Sequence, residues 1–201
     1  PLRLLSHFAS QIGQGLNTKD LPAAKGEIGL LGNTLQKMQL DIRSREAELL
    51  YQAEHDSLTA LKNRGAAERK LAELLPSENV GLLLLNIKNF RHINDALGFA
   101  NGDSLLQQMA QRLHQLQPAP LLAARLGGDE FLLLYTQHFT EEQLEQFIRQ
   151  LHTGYLLADS PLSLKVSVGA YNIAPGSVHA NDAIRRLDIA LSHAKQQPGL
   201  L

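Results

Sequence analysis

The residues best placed to do chemistry in this chain stand in one short run, Arg125-Leu126-Gly127-Gly128-Asp129-Glu130-Phe131. Two glycines and two acids lie between apolar runs at Leu121–Leu126 and Phe131–Tyr135, a pattern that predicts a β-hairpin with a Gly-Gly-Asp turn. Its tip would carry adjacent carboxylates beside a glycine backbone that a ligand can approach closely. Hard cations take carboxylate oxygens, so such a tip suits magnesium and the phosphates of a nucleotide. The same residues also describe an ordinary solvated turn, and on their own they leave both readings open.

Other runs narrow the choice. Asp56-Ser57-Leu58-Thr59-Ala60-Leu61-Lys62-Asn63-Arg64 comes first, then Phe90-Arg91-His92-Ile93-Asn94-Asp95 with Gly98 and Gly102-Asp103. Ser167-Val168-Gly169 and the closing Asp188, Ala190-Leu191 and Ala194-Lys195 follow the hairpin. In this order, over roughly residues 55–197, the runs resemble the GGDEF family, whose active members are diguanylate cyclases. Ala60 stands where the family's opening motif has glycine.

The resemblance implies a palm-type, nucleotidyl cyclase-like α+β sandwich with a central, mostly antiparallel sheet. It implies attack of one GTP's 3′-hydroxyl on the α-phosphate of a second, in a homodimer whose domains meet face to face. Magnesium or manganese would lower the hydroxyl's pKa and neutralise developing charge. By resemblance Asp129 is a catalytic metal ligand and Glu130 the second catalytic acid, with Asn86 and Ile87 completing the metal set from the strand opposite. Gly127 and Gly128 would admit phosphate, Phe90 and Arg91 would face the nucleotide, and Lys195 would reach the triphosphate. Asn94 and Asp103 would bond the guanine edge; helix capping is the plainer alternative for both.

Several positions depart from the family. Its "D-x-D" at the end of the first strand is Asn86-Ile87-Lys88, so one shared metal carboxylate is an amide and a cation replaces an acid. The closing arginine beyond Lys195 is absent from Gln196-Gln197-Pro198-Gly199-Leu200, and Ser192 replaces a tyrosine. The inhibitory "R-x-x-D" falls on Pro118 and Leu121, and Arg125 is expected to be a structural ion-pair partner.

The elements that must position these residues follow from periodicity. Apolar spacing predicts helices over Asn63–Leu75, Phe90–Leu97, Asn101–Leu116, Thr140–His152 and Asn181–Gln197. The continuous apolar run Val80–Ile87 predicts a central strand covered on both faces, and Leu162–Tyr171 a further strand. These fall in a domain at 54–201.

Residues 1–53 have a different character. Ile28, Leu31, Leu35, Met38, Ile42 and Leu49 form a heptad seam, interrupted by Arg45. A shorter seam at Leu5, Phe8 and Ile12 precedes a connector from Gly13 to Gly26 that is rich in Gly, Pro and polar residues. This helix–connector–helix, opening its second helix with Glu27-Ile28-Gly29, resembles a HAMP domain. The alternative is a plain dimerisation hairpin. Arg43 to His55 is expected to be a signalling helix leading to Asp56.

Composition excludes some chemistry. With no cysteine there is no disulfide, thiol nucleophile or cysteine metal site. The eight histidines lack metal-ligand spacing, and His55, His138 and His193 are expected at the surface or at caps. A net charge of −1 gives no footprint for nucleic acid. No apolar run is long enough to span a bilayer. The chain is expected to be an excised fragment of a membrane-anchored protein, lying on the cytoplasmic face of a bacterial inner membrane and followed by an EAL-type domain. The expected function is signal relay in cyclic di-GMP signalling, with GTP as ligand and little or no cyclase activity; the alternative is an active cyclase.

Overall fold

A computed structural model describes residues 27–152, 154–157 and 160–196. The chain divides into two compact units, Pro1–Gln52 and Ala53–Leu201. The helix–connector–helix expectation over residues 1–26 lies outside the described residues. Its second helix does not: α1 runs unbroken over Glu27–Glu54. Along it the seam residues Leu31, Met38, Ile42 and Leu49 are 46–65% exposed.

In the larger unit, β1 (Lys62–Asn63), β2 (Val80–Ile87), β3 (Leu122–Gly127), β4 (Glu130–Tyr135) and β7 (Val166–Ile173) form one sheet in the order β1-β3-β4-β2-β7. All its pairs are antiparallel except β1 with β3, so the sheet is mixed. A separate two-stranded ribbon joins β5 (Tyr155–Leu157) to β6 (Ser160–Leu162). The helices are α2 (Arg64–Leu74), α3 (Phe90–Leu97), α4 (Phe99–His114), α5 (Glu141–Leu151) and α6 (Ala180–Gln196). This is the palm-type α+β sandwich that the motifs implied.

The sheet is central because β2 is apolar on both faces, as period-2 alternation of two buried sides requires. Leu83, Leu85 and Ile87 pack with Phe131, Leu133, Leu105 and Met109 on the α4 side. Leu82 and Leu84 pack with Leu132, Leu134, Leu187 and Leu191 on the α2 and α6 side. Gly169 lets α6 lie close: a Cβ there would stand 2.6 Å from the Leu191 backbone nitrogen.

The strand expected at Leu162–Tyr171 is displaced toward the C-terminus. Leu162 pairs with Tyr155 in the ribbon instead, and β7 begins at Val166. The ribbon is held by tertiary contacts, since the Gln108 side chain accepts from Leu156 N at 2.8 Å and donates to Leu156 O at 2.7 Å.

Candidate functional site

The end of β2 and the tip of the β3–β4 hairpin are neighbours by register. Asn86 pairs with Glu130 on one side and with Ser167 on the other. Residues paired directly across strands share a face, so Glu130, Asn86 and Ser167 form one row on the α6 side of the sheet. Beyond the row, Ile87 N donates to Asp129 O at 3.4 Å. Lys195, in the last turn of α6, brings its Nζ to 3.9 Å from Glu130 Oε1. The structure therefore assembles five of the expected site residues: Asn86, Ile87, Asp129, Glu130 and Lys195.

The hairpin turn requires its glycines. Gly127 has φ 143° and Gly128 φ 53°, both in the region that favours glycine, and both residues are exposed. The β3–β4 register shifts between Arg125 and Gly127, as a bulge does. Arg125 then reaches over the turn, donating to Gly128 O from Nε at 3.0 Å and from Nη2 at 2.8 Å. Its Nη1 donates to both carboxylate oxygens of Asp56, at 3.0 and 3.2 Å. Asp56 Oδ1 also accepts from the Thr59 amide and hydroxyl, at 2.9 and 2.7 Å.

This clamp is mostly buried, with the Arg125 and Asp56 side chains 13 and 22% exposed. Burial pushes the Asp56 carboxyl up, but the hydrogen bonds from Thr59 and Arg125 outweigh it and hold the group below the ordinary carboxylate value. Arg125 is thus the structural ion-pair partner expected of it. Its carboxylate was not identified from the sequence, although the Asp56-Ser57-Leu58-Thr59 motif was the available signal.

Nearby, Asn63 Oδ1 caps α2 by accepting from Ala66 N, and Asn63 Nδ2 donates to Ala53 O at 2.9 Å. Lys62 Nζ and Arg69 Nη2 lie 2.7 and 3.3 Å from Glu54. The hydrogen bond and charge of Lys62 hold the Glu54 carboxyl below its usual value. The segment from Glu54 to Asn63 is therefore pinned at both ends, and Asp56 within it grips the hairpin.

A second set of expected residues gathers at α3 and α4. Gly102 is buried against Asn94: a Cβ at Gly102 would collide with Asn94 Oδ1 and stand 3.2 Å from the Phe90 ring. Asn94 Oδ1 is buried and accepts no hydrogen bond. Asp103, next to Gly102, is exposed and caps nothing; α4 starts at Phe99 with Gly98 as its cap residue. Helix capping is therefore excluded for Asp103. Arg91 projects outward, 92% exposed and 3.9 Å from Asp95.

The oxygen donors at the strand end are two carboxylates and one amide. Asp129 supplies one carboxylate, Glu130 already faces Lys195, and Asn86 supplies only a neutral amide oxygen. Among the described residues no three His, Cys, Asp or Glu side chains are grouped to hold a metal ion. Hard divalent cations are held chiefly by anionic oxygen, and Asn86 adds none to that of Asp129 and Glu130.

Comparison with known proteins bears on the family and the fold. Residues 53–199 match the family model described as "Diguanylate cyclase, GGDEF domain". The chain is 33% identical over 179 residues to the diguanylate cyclase DgcP of Escherichia coli, covering 84% of this chain and 52% of that protein. It is 37% identical over 131 residues to the diguanylate cyclase TpbB of Pseudomonas aeruginosa, covering 62% and 27%. The chain thus spans about half or less of the length of these relatives. Among solved structures, the GGDEF domain of TpbB aligns with TM-score 0.63 at 30% identity, covering 72% of this chain and 90% of that one. The coiled coil and GGDEF domain of DgcB from Caulobacter crescentus aligns with TM-score 0.71 at 23% identity, covering 85% and 94%; that likeness concerns the fold alone.

Proposed function

The chain belongs to the GGDEF diguanylate cyclase family of cyclic di-GMP signalling, and we propose that it is a relay module that binds GTP and makes little or no cyclic di-GMP. One observation carries this reading: the residue paired with Glu130 at the end of β2 is Asn86. An amide there removes a charge that the cyclase reaction relies on to offset the charge developing on phosphate. Such preorganised electrostatic partners are each worth on the order of 3 kcal/mol or more of the barrier.

The nucleotide face supports binding. Asn94 packs on Gly102, which has no side chain to displace it, and Asp103 stands exposed next to Gly102. Lys195 and the open Gly127-Gly128 backbone suit the phosphates. Any magnesium or manganese would come in with GTP and meet Asp129 as its principal protein carboxylate.

Relay is supported by continuity. α1 runs unbroken to Glu54, and Asp56, two residues on, holds the hairpin through Arg125. The exposed seam of Leu31, Met38, Ile42 and Leu49 suits a parallel partner, so the working form is a homodimer through these helices. The reading includes a HAMP-like first unit, a membrane-anchored parent and a following EAL-type domain that receives the signal. No helix among the described residues is long and apolar enough to cross a membrane.

The second reading, an active cyclase, is favoured by the intact hairpin tip at Gly127–Glu130. Cyclic di-GMP formation by the unmodified chain and by Asn86→Asp, with GTP and saturating magnesium or manganese, separates the two. Product from Asn86→Asp but not from the unmodified chain is the expected result. Comparable product from both would overturn the relay reading.

A further inference from the structure

A lysine follows the last residue of β2, and another precedes the first residue of β7. The β2–β7 register closes with Ile87 opposite Val166, and one step further Lys88 N donates to Lys165 O at 2.8 Å. Lys88 and Lys165 therefore oppose each other directly. Each lies one residue beyond its strand and two residues from the Asn86–Ser167 pair. Like charges directly opposite on neighbouring strands repel and destabilise the sheet end.

Neither lysine is compensated. Among the described residues, no carboxylate lies within ion-pairing distance of Lys88 or Lys165, whereas Lys62, Lys70 and Lys195 each have one. Lys88 is half-buried, which adds to the cost of leaving its charge unmatched. The pair adjoins the hairpin tip, because Ile87, next to Lys88, is bonded to Asp129.

Charge at this end of the sheet is thus reversed from what a cation centre needs. Lys88, Lys165 and Lys195 supply three positive groups against the two carboxylates Asp129 and Glu130. We infer that Lys88 and Lys165 form a seat for the polyphosphate of a nucleoside triphosphate and supply the charge a divalent cation would bring, so that the chain binds GTP without metal. Ammonium groups serve phosphate as point charges and need no rigid geometry, which suits two flexible side chains at a strand end. The inference rests on the proposal that this site holds GTP.

The test is equilibrium binding of GTP to the full chain, with excess EDTA or with magnesium, for the unmodified protein and for Lys88→Ala/Lys165→Ala and Lys88→Asp. The expected result is binding in EDTA within about threefold of that in magnesium, weakened about tenfold or more in the double variant. Lys88→Asp should bind only when magnesium is present. Thermal unfolding of each variant shows whether the fold survives, and Lys165→Ala alone, at an exposed position, provides a second reading of the pair. Binding that requires magnesium would overturn the inference and leave GTP binding intact. Metal-free binding indifferent to both lysines would overturn it as well. No binding in either condition would remove the GTP-binding proposal and this inference together.

Discussion

Replacing Asp56 by Asn isolates the clamp between the segment after α1 and the hairpin. The amide oxygen can still accept from Thr59, but the charge facing Arg125 is gone, along with one acceptor of its two hydrogen bonds. A hydrogen bond to a charged group contributes about 1.5–3 kcal/mol net. Arg125 keeps Gly128 O, and Asp56 is 22% exposed, so a loss of about 2 kcal/mol is expected. In a domain of this size that lowers the melting temperature by roughly 5 °C.

The pH dependence fixes the cause. The Asp56 carboxyl is held below its ordinary value in the folded state. Its contribution is therefore fully present above the unfolded pKa of about 4, and fades as pH falls through the lower folded pKa. Urea unfolding of both proteins between pH 7 and pH 2.5 should show a gap that is constant at neutral pH and closes in acid. A gap that persists unchanged to low pH, or none at pH 7, would refute the assignment of this stability to the ion pair.

Other outcomes follow from single positions. Ala60 adopts φ 58° in an exposed turn where glycine has no steric penalty, so Ala60→Gly should stabilise the chain by about 0.5–1 kcal/mol, read by urea unfolding. Gly102→Ala drives a methyl into Asn94 Oδ1 and must displace that side chain; GTP affinity should fall about tenfold, measured by calorimetry. Ile42→Asp places a charge in the exposed α1 seam and should convert a dimer into a monomer in sedimentation.

The long elements were legible because their burial is written into their periodicity. Val80–Ile87 and Phe90–Leu97 have the bounds that the apolar pattern predicts. β1 and the β5–β6 ribbon were not legible: two- and three-residue strands carry no pattern, and they exist because a partner such as Gln108 or β3 holds them. The hairpin tip could be read in advance, since Gly127 and Gly128 supply conformations that other residues avoid. Asp56 and Arg125 lie 69 residues apart, and only the folded chain shows that they meet. Lys165 gave no signal at all, because it lies outside every motif and acquires meaning only from the register that sets it against Lys88.

The central claim is that GTP is held here without being turned over. Its most direct test is prolonged incubation of the full chain with GTP and saturating manganese, followed by chromatographic identification of bound and free nucleotide. The account predicts GTP recovered intact and bound near one equivalent per chain, with no cyclic di-GMP beyond the background without protein. Steady accumulation of cyclic di-GMP would contradict it and show that Asn86 serves where a carboxylate was thought necessary.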